Sequence, residues 1–489
     1  MDVTILTVEV VKNYINGKWV ESKAKETRDV FNPATGELIA KTPMSTKEEA
    51  LEAIKAANAA FERWRTTPAM TRVRYLNRIR DAFEENFEEL AKILTTEQGK
   101  AIDEARGEYR RTIENLECAT SIPSLQMGYN AEDIAAGIDE MVIKQPLGTF
   151  FCVAPFNFPG MVPTWFWPFA IGVGNTYIVK PSEQVPLSQV RQFEIIHEIG
   201  LPKGVLNMVH GGAEAVTTLI ESPNTAGMSF VGSSRVGKLL FKKTGEFGKR
   251  AQVQGGAKNF LTIMPDADLE RTVPALITSF YGCAGQRCLA GGVLLAVGDI
   301  YEPLKEMLVE AAKKYTTGNG LEEGVQMGPL ASKPGMEKVL NFIQSGIDEG
   351  AELILDGRGI KVPGHPNGYF IGPTIFDKVT RDMTIAKEEI FGPVIPIVQV
   401  KDLDAAIDII HANPYGNASS IFTTSGKNAR DYQYRVKAGN IGINVGVAAP
   451  IATFPFSGMK DSFLGDLHGQ GRDAVDFFTE NKVVITRWF

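Results

Sequence analysis

Two of the four cysteines fall in one stretch, Ser279–Gly292, which reads SFYGCAGQRCLAGG. Cys288 follows Gly285-Gln286-Arg287, and Ala290-Gly291-Gly292 come soon after it. A nucleophilic thiolate needs such surroundings: little side-chain bulk where an electrophile must approach, and a nearby cation to favour the charged form. Arg287 offers that cation as the next residue in the chain. A lone cysteine in a Gly/Ala-rich turn also reads as a small buried hydrophobe, so the weight rests on what other stretches supply.

Pro155-Phe156-Asn157-Phe158-Pro159 follows the apolar run Thr149–Ala154. Two prolines there hold a rigid loop at a strand end, and Asn157 becomes a fixed amide donor able to stabilise an oxyanion. An Asx-turn would use the same residue. Lys180 and Glu183 stand at the end of another apolar run, where an amine and a carboxylate suit vicinal ribose hydroxyls, a solvated surface pair being the alternative. Phe230–Lys238 nearly forms a phosphate loop, but Leu239 stands where a magnesium-binding hydroxyl is required, which excludes nucleoside-triphosphate hydrolysis. The glycine–serine turn at Gly232-Ser233 still opens a helix, a natural seat for a pyrophosphate. Glu389 lies at a glycine–proline turn. The five histidines have no ligand spacing, so no metal site and no histidine base are expected.

These residues need elements to hold them. Thr46-Lys47-Glu48-Glu49 predicts a capping box ahead of a helix whose inner face is Leu51, Ile54, Ala57, Phe61 and Trp64. A long helix from about Thr71 to Gly99 and a third over Arg106–Ala119 follow; the third carries Arg110 and Arg111, by default solvated charges. Met127–Gln145 predicts a hairpin standing off the body around Ala135-Ala136-Gly137. From Gly148, strands at Thr149–Ala154, Thr176–Lys180, Leu206–Val209, Gly227–Val231 and Gln252–Gln254 alternate with helices. That order implies a doubly wound parallel sheet, with ligands at the carboxyl ends of its strands. A second alternating region runs from Asn259 to about Asn444. The tail adds a strand, Lys482–Trp488, able to pair with the hairpin.

The 489 residues suffice for two or three domains, and a net charge of −7 argues against nucleic acid or an anionic membrane as partner. Four cysteines without paired spacing make no disulfide framework. The start has no basic region ahead of its apolar run, and Met161–Val179 is broken by prolines. The expectation is a cytoplasmic protein without a membrane span.

Taken together and in order, these stretches resemble the aldehyde dehydrogenase superfamily over essentially the whole chain. The resemblance implies an α/β fold of two doubly wound parallel-sheet domains plus a small β oligomerisation element. It puts the NAD-binding domain at 1–125 and 149–254, the catalytic domain at 255–444, and the oligomerisation element at 126–148 and 455–489. It makes Cys288 the nucleophile and Asn157 the oxyanion donor. Lys180 and Glu183 would bind the adenosine ribose, Ser233 the pyrophosphate and Glu389 the nicotinamide ribose, with Ala154 and Phe156 lining the cleft. It also implies a homodimer or homotetramer.

One departure narrows the expectation. Where most of the superfamily has a glutamate that activates water, this chain has Gln254, in Gln252-Val253-Gln254-Gly255-Gly256-Ala257-Lys258. A neutral amide takes no proton from water near pH 7. With YGCAGQRC and the tail from Phe454, this resembles the CoA-acylating methylmalonate-semialdehyde and malonate-semialdehyde dehydrogenases. That resemblance implies Arg287 and Arg111 as holders of a substrate carboxylate, with Arg110 as the rival to Arg111. It implies coenzyme A as acyl acceptor. A hydrolytic enzyme for another acid-bearing aldehyde is the alternative, and a non-catalytic descendant of the fold a third.

Overall fold

The structure is a computed structural model and describes residues 8–489; the first seven residues, where the expected absence of a leader begins, lie outside that range. Two large sheets carry the architecture. In the first, five parallel strands run in the order Leu206–Met208, Thr176–Lys180, Thr149–Val153, Gly227–Val231 and Arg250–Gln254. An antiparallel hairpin, Asn13–Ile15 with Lys18–Val20, closes one edge, and Phe463–Leu464 closes the other. The sequence around Ile15–Val20 reads as one strand. It is two, because Asn16 and Gly17 take φ values of 52° and 71° and turn the chain back, the Asn-Gly signature of a tight hairpin.

The register of this sheet sets out the site. Val153 pairs with Lys180, Phe230 with Val153, and Val231 with Gln254. The loops leaving three of these four neighbouring strands carry Asn157, Glu183 and Ser233, and Gln254 ends the fourth, so all four lie side by side at the carboxyl ends. The strands are buried on both faces because helices cover each side.

The second sheet has six parallel strands, in the order Thr374–Asp377, Val394–Val400, Val293–Val297, Phe260–Ile263, Ala418–Phe422 and Asn440–Ile443, with Glu352–Leu355 antiparallel at one edge. Cys288, Glu389, Asn259 and Asn417 all lie just before strands of this sheet, at its amino ends. The Cys288 loop thus enters from the opposite end of a sheet from the loops of the first.

The helix Lys47–Trp64 has both halves of the expected capping box, Thr46 with Glu49, a feature that stabilises a helix by about 1 kcal/mol. Ile54, Ala57, Phe61 and Trp64 are buried, but Leu51 is 41% exposed and belongs to the outer face. The long helix expected from Thr71 is two, Ala69–Glu85 and Phe87–Gln98. Asn86 breaks it: its backbone leaves helical geometry and its side chain donates to the Ala82 carbonyl. The hairpin Asn130–Ala135 with Ile138–Pro146 pairs, through its second strand, with Thr479–Arg487 of the same chain to make a three-stranded sheet. Among the described residues no helix is long and apolar enough to cross a membrane.

Candidate active site

Cys288 follows a strained turn. Cys283 and Ala284 both adopt left-handed geometry, at φ 50° and 52°, a conformation that costs roughly 1–3 kcal/mol for each residue bearing a Cβ. Two contacts hold it: the Cys283 N–H donates to Glu104 Oε1 at 2.6 Å, and the Gln286 N–H to the Cys283 carbonyl at 2.9 Å. Gly285 continues the turn against Gly392, whose carbonyl oxygen would be 2.2 Å from any added Cβ. Beyond it, the Cys288 carbonyl accepts from Asn259 Nδ2 and Asn417 Nδ2, each at 2.8 Å. Both amides come from the amino ends of second-sheet strands, so the Cys288 backbone is tied to the sheet at two points.

Cys288 is the one cysteine that is partly exposed; the other three are buried. Burial of its sulfur pushes the thiol up to about 12, and the Glu389 carboxylate adds to this. The N–H groups of Cys288 and Leu289 oppose the shift, and Arg287 opposes it least. Adjacency in sequence misleads here. The Arg287 Nε donates to the Cys283 sulfur at 3.2 Å and its Nη2 to Glu104 at 2.8 Å, so these two donors serve neighbours other than the Cys288 sulfur.

A cavity of about 490 Å³ opens onto Cys288 and is lined by Arg111 and Arg287, with Phe158, Trp165 and Phe456 among its apolar walls. The helix Ile102–Ala119 supplies one side. Glu104, Glu108, Arg111 and Asn115 recur at three- and four-residue spacing and all reach the cavity. Arg110 points away, paired with Glu84 at 2.6 Å and resting on the Phe87 ring. Arg111 pairs with Glu114 at 2.7 Å and remains 38% exposed. Gln254 is buried, and its Nε2 donates to the carbonyl of Phe456, a wall residue of the cavity, at 3.0 Å.

Asn157 is buried beside the loop that carries Cys288, its Nδ2 donating to the Gln286 carbonyl at 3.1 Å. An amide has two N–H groups, so one bond of this kind leaves a second donor. Sequence reasoning missed what holds this loop. Lys100 and Glu108 form an ion pair at 2.6 Å with both side chains fully buried. Lys100 also donates to the Asn157 carbonyl at 2.8 Å, and Glu108 accepts the N–H groups of Gly160 and Met161 at 2.8 and 3.0 Å. The signal was the inward period of 104, 108, 111 and 115, which a reading of charges as solvated overrides.

The first sheet's carboxyl edge has features that fit a dinucleotide. Lys180 is buried and donates to Glu183 Oε2 and to the Gly211 carbonyl, both at 3.1 Å, which leaves a third N–H. Burial pushes Glu183 up, yet Lys180, its own backbone N–H and Arg28 hold it below the usual carboxylate range. Ser233 caps the helix Ser234–Glu246, accepting the Val236 N–H, and no acidic residue lies in that helix's first turn. That N-terminus is therefore open to an anion. Glu389 accepts the Ala257 N–H at 3.1 Å and lies so near Gly256 that a Cβ there would be 2.9 Å from its carboxylate. Burial pushes Glu389 up to about 7. Ala154 donates to the Lys180 carbonyl at 3.0 Å, and the Phe156 ring meets Phe391 edge-on at 5.9 Å. The donors, acceptors and bare helix end are those that a diphosphate between two riboses requires. Among the described residues no cluster of His, Cys, Asp and Glu is arranged to hold a metal.

A strained cysteine loop facing an amide-bearing loop, between two parallel sheets, defines a class, and the chain belongs to the aldehyde dehydrogenase family, whose sequence profile matches residues 19–484. Among curated relatives it is 47% identical over 481 residues to malonate-semialdehyde dehydrogenase 2 of Geobacillus kaustophilus, covering 98% of this chain and 99% of that one. It is 46% identical over 484 residues to malonate-semialdehyde dehydrogenase of Halalkalibacterium halodurans, covering 99% of each. Among solved structures, methylmalonate-semialdehyde dehydrogenase of Oceanimonas doudoroffii superposes with a TM-score of 0.97 at 39% identity, over 98% of this chain and 99% of that one. A Sinorhizobium meliloti protein assigned as methylmalonate-semialdehyde dehydrogenase, solved in complex with NAD, gives the same TM-score and identity over 99% of each chain.

Proposed function

We infer that this protein oxidises malonate semialdehyde, methylmalonate semialdehyde or both, with NAD as hydride acceptor and coenzyme A as acyl acceptor, and with loss of CO2. The products are acetyl-CoA and propanoyl-CoA. The observation that carries this reading is the single cavity that joins Cys288 to Arg111 and Arg287. The names of the relatives agree with it.

The residues divide the work as follows. Arg111 and Arg287 take the substrate carboxylate and aim the aldehyde carbon at Cys288. The Cys288 thiol gives up its proton to solvent and the thiolate attacks that carbon, while the second N–H of Asn157, with the backbone N–H of Cys288, receives the oxygen as it gains charge. Lys180, Glu183, Ser233 and Glu389 hold the dinucleotide, which when bound accepts the hydride from the tetrahedral carbon. The acyl group is left as a thioester on Cys288. Its β-carboxylate leaves as CO2 while the same donors hold the enolate oxygen. Gln254 offers no base for water, so the thioester waits for the thiol of coenzyme A.

In this reading 1–125 and 149–254 serve NAD, 255–444 carry the nucleophile, and 126–148 with 455–489 join subunits in a homodimer or homotetramer. Cytoplasmic placement is supported by four cysteines that are all free. The test is product analysis with and without coenzyme A. Without it, wild type should release a burst of about one NADH per site and then stall, because a thioester needs an activated nucleophile to leave. Adding coenzyme A should restore turnover to acetyl-CoA, and Gln254→Glu should gain a coenzyme-independent release of free acid. Rapid hydrolysis by wild type in the absence of coenzyme A overturns the acylating assignment.

A further inference from the structure

Arg287 is the more constrained of the two cavity arginines. Its Nη2 donates to Glu104 Oε1 at 2.8 Å and its Nε to the Cys283 sulfur at 3.2 Å. Gly282 lets the guanidinium lie flat on the chain, since a Cβ there would be 2.7 Å from Nη1. The same Glu104 oxygen accepts the Cys283 N–H, while the other, Oε2, is buried without a partner. Glu104 and Arg111 stand two turns apart on one face of the helix Ile102–Ala119, and both line the cavity. An incoming carboxylate therefore meets an arginine whose charge is already balanced, with a second carboxylate beside it.

A site built only for tight binding would omit that carboxylate. Two bare guanidinium groups in a cavity of low polarity hold a carboxylate strongly. Decarboxylation removes the very charge they hold, so grip on the ground state adds to the barrier. We propose that Glu104 is a positioning residue which, through Arg287, keeps the hold on the substrate carboxylate loose enough for the Cys288 thioester to lose CO2. The proposal rests on the decarboxylating reading above. In the step, the bond between the α-carbon and the carboxylate carbon breaks and CO2 departs. Its electron pair enters the thioester enolate, and the α-carbon then takes a proton from water. Nothing is oxidised or reduced.

Glu104→Gln tests this, because the amide oxygen can still accept the Cys283 N–H while the charge is gone. The expected result is a lower KM for malonate semialdehyde relative to propanal, and a product shifted from acetyl-CoA towards malonyl-CoA. The malonyl-CoA share should rise about tenfold, a change of about 1.4 kcal/mol in the partition. Glu104→Asp keeps the charge and should keep acetyl-CoA as product. A merely structural role would depress both aldehydes together and yield no malonyl-CoA. Acetyl-CoA formed as cleanly by Glu104→Gln as by wild type overturns the proposal, and so does malonyl-CoA from Glu104→Asp. Wild type that forms no acyl-CoA from malonate semialdehyde would instead overturn the substrate reading, which the wild-type control separates from the role of Glu104.

Discussion

Cys288 sits in a site that raises its pKa rather than lowering it, and this has a measurable sign. A thiol pushed up to about 12 is protonated at neutral pH, so the reactive thiolate fraction grows about tenfold per pH unit until that pKa is reached. Iodoacetamide labelling of the protein without ligands should follow this rise from pH 7 to 10 at Cys288, as mapped by peptide mass. A plateau below pH 8 would show that another group stabilises the thiolate. Cys288→Ala should abolish NADH formation, whereas Cys283→Ala should keep most of it. The arginines make a second prediction at this scale. Arg111→Gln should raise the ratio of KM for malonate semialdehyde to KM for propanal by about 10- to 100-fold, the worth of one hydrogen bond to a charged group. An unchanged ratio would move Arg111 out of the substrate's reach.

At the scale of elements, the helix Ile102–Ala119 is the hub. It carries Glu104 to the Cys283–Cys288 loop, Glu108 to the Asn157 loop and Arg111 to the cavity. Lys100, just before it, neutralises Glu108 where both are fully buried. Removing one partner of such a pair leaves an uncompensated charge and costs about 3–5 kcal/mol. Lys100→Met should therefore move the urea midpoint well down. It should also reduce kcat in the protein that stays folded, since the Asn157 carbonyl loses its ammonium donor. A variant as stable as wild type would mean that Glu108 takes up a proton instead.

For the whole molecule, the open question is what covers the three-stranded sheet. Val483 and Ile485 on the strand Thr479–Arg487 are 57% and 65% exposed, and Trp488 and Phe489 follow them. Apolar side chains on an outlying sheet are a liability unless another copy covers them. Val483→Glu with Ile485→Glu should turn an oligomer into a monomer by light scattering while the fold, judged by circular dichroism, survives. A wild-type protein that is already a stable monomer would end this assignment.

Local chemistry was readable without coordinates wherever it depends on residue type and short-range order. The capping box at Thr46, the strand Thr176–Lys180 and the strand–helix alternation from Gly148 follow from periodicity and backbone preference, which act over a few residues. The small residues around Cys288 and the prolines around Asn157 stand in the sequence for the same reason, whereas Gln254 draws notice only through the family resemblance, which implies a glutamate at its place. Partnerships were not. Arg287 adjoins Cys288 in the chain but serves Cys283 and Glu104, because two left-handed residues turn the loop. Of Arg110 and Arg111, helix phase and the packing around it decide which one reaches the cavity. Lys100 and Glu108 become a pair only where the fold buries them together, and Glu104 meets Arg287, 183 positions along the chain, only in the folded protein. Burial and long-range pairing are properties of the assembled sheets, and only the tertiary structure decides them.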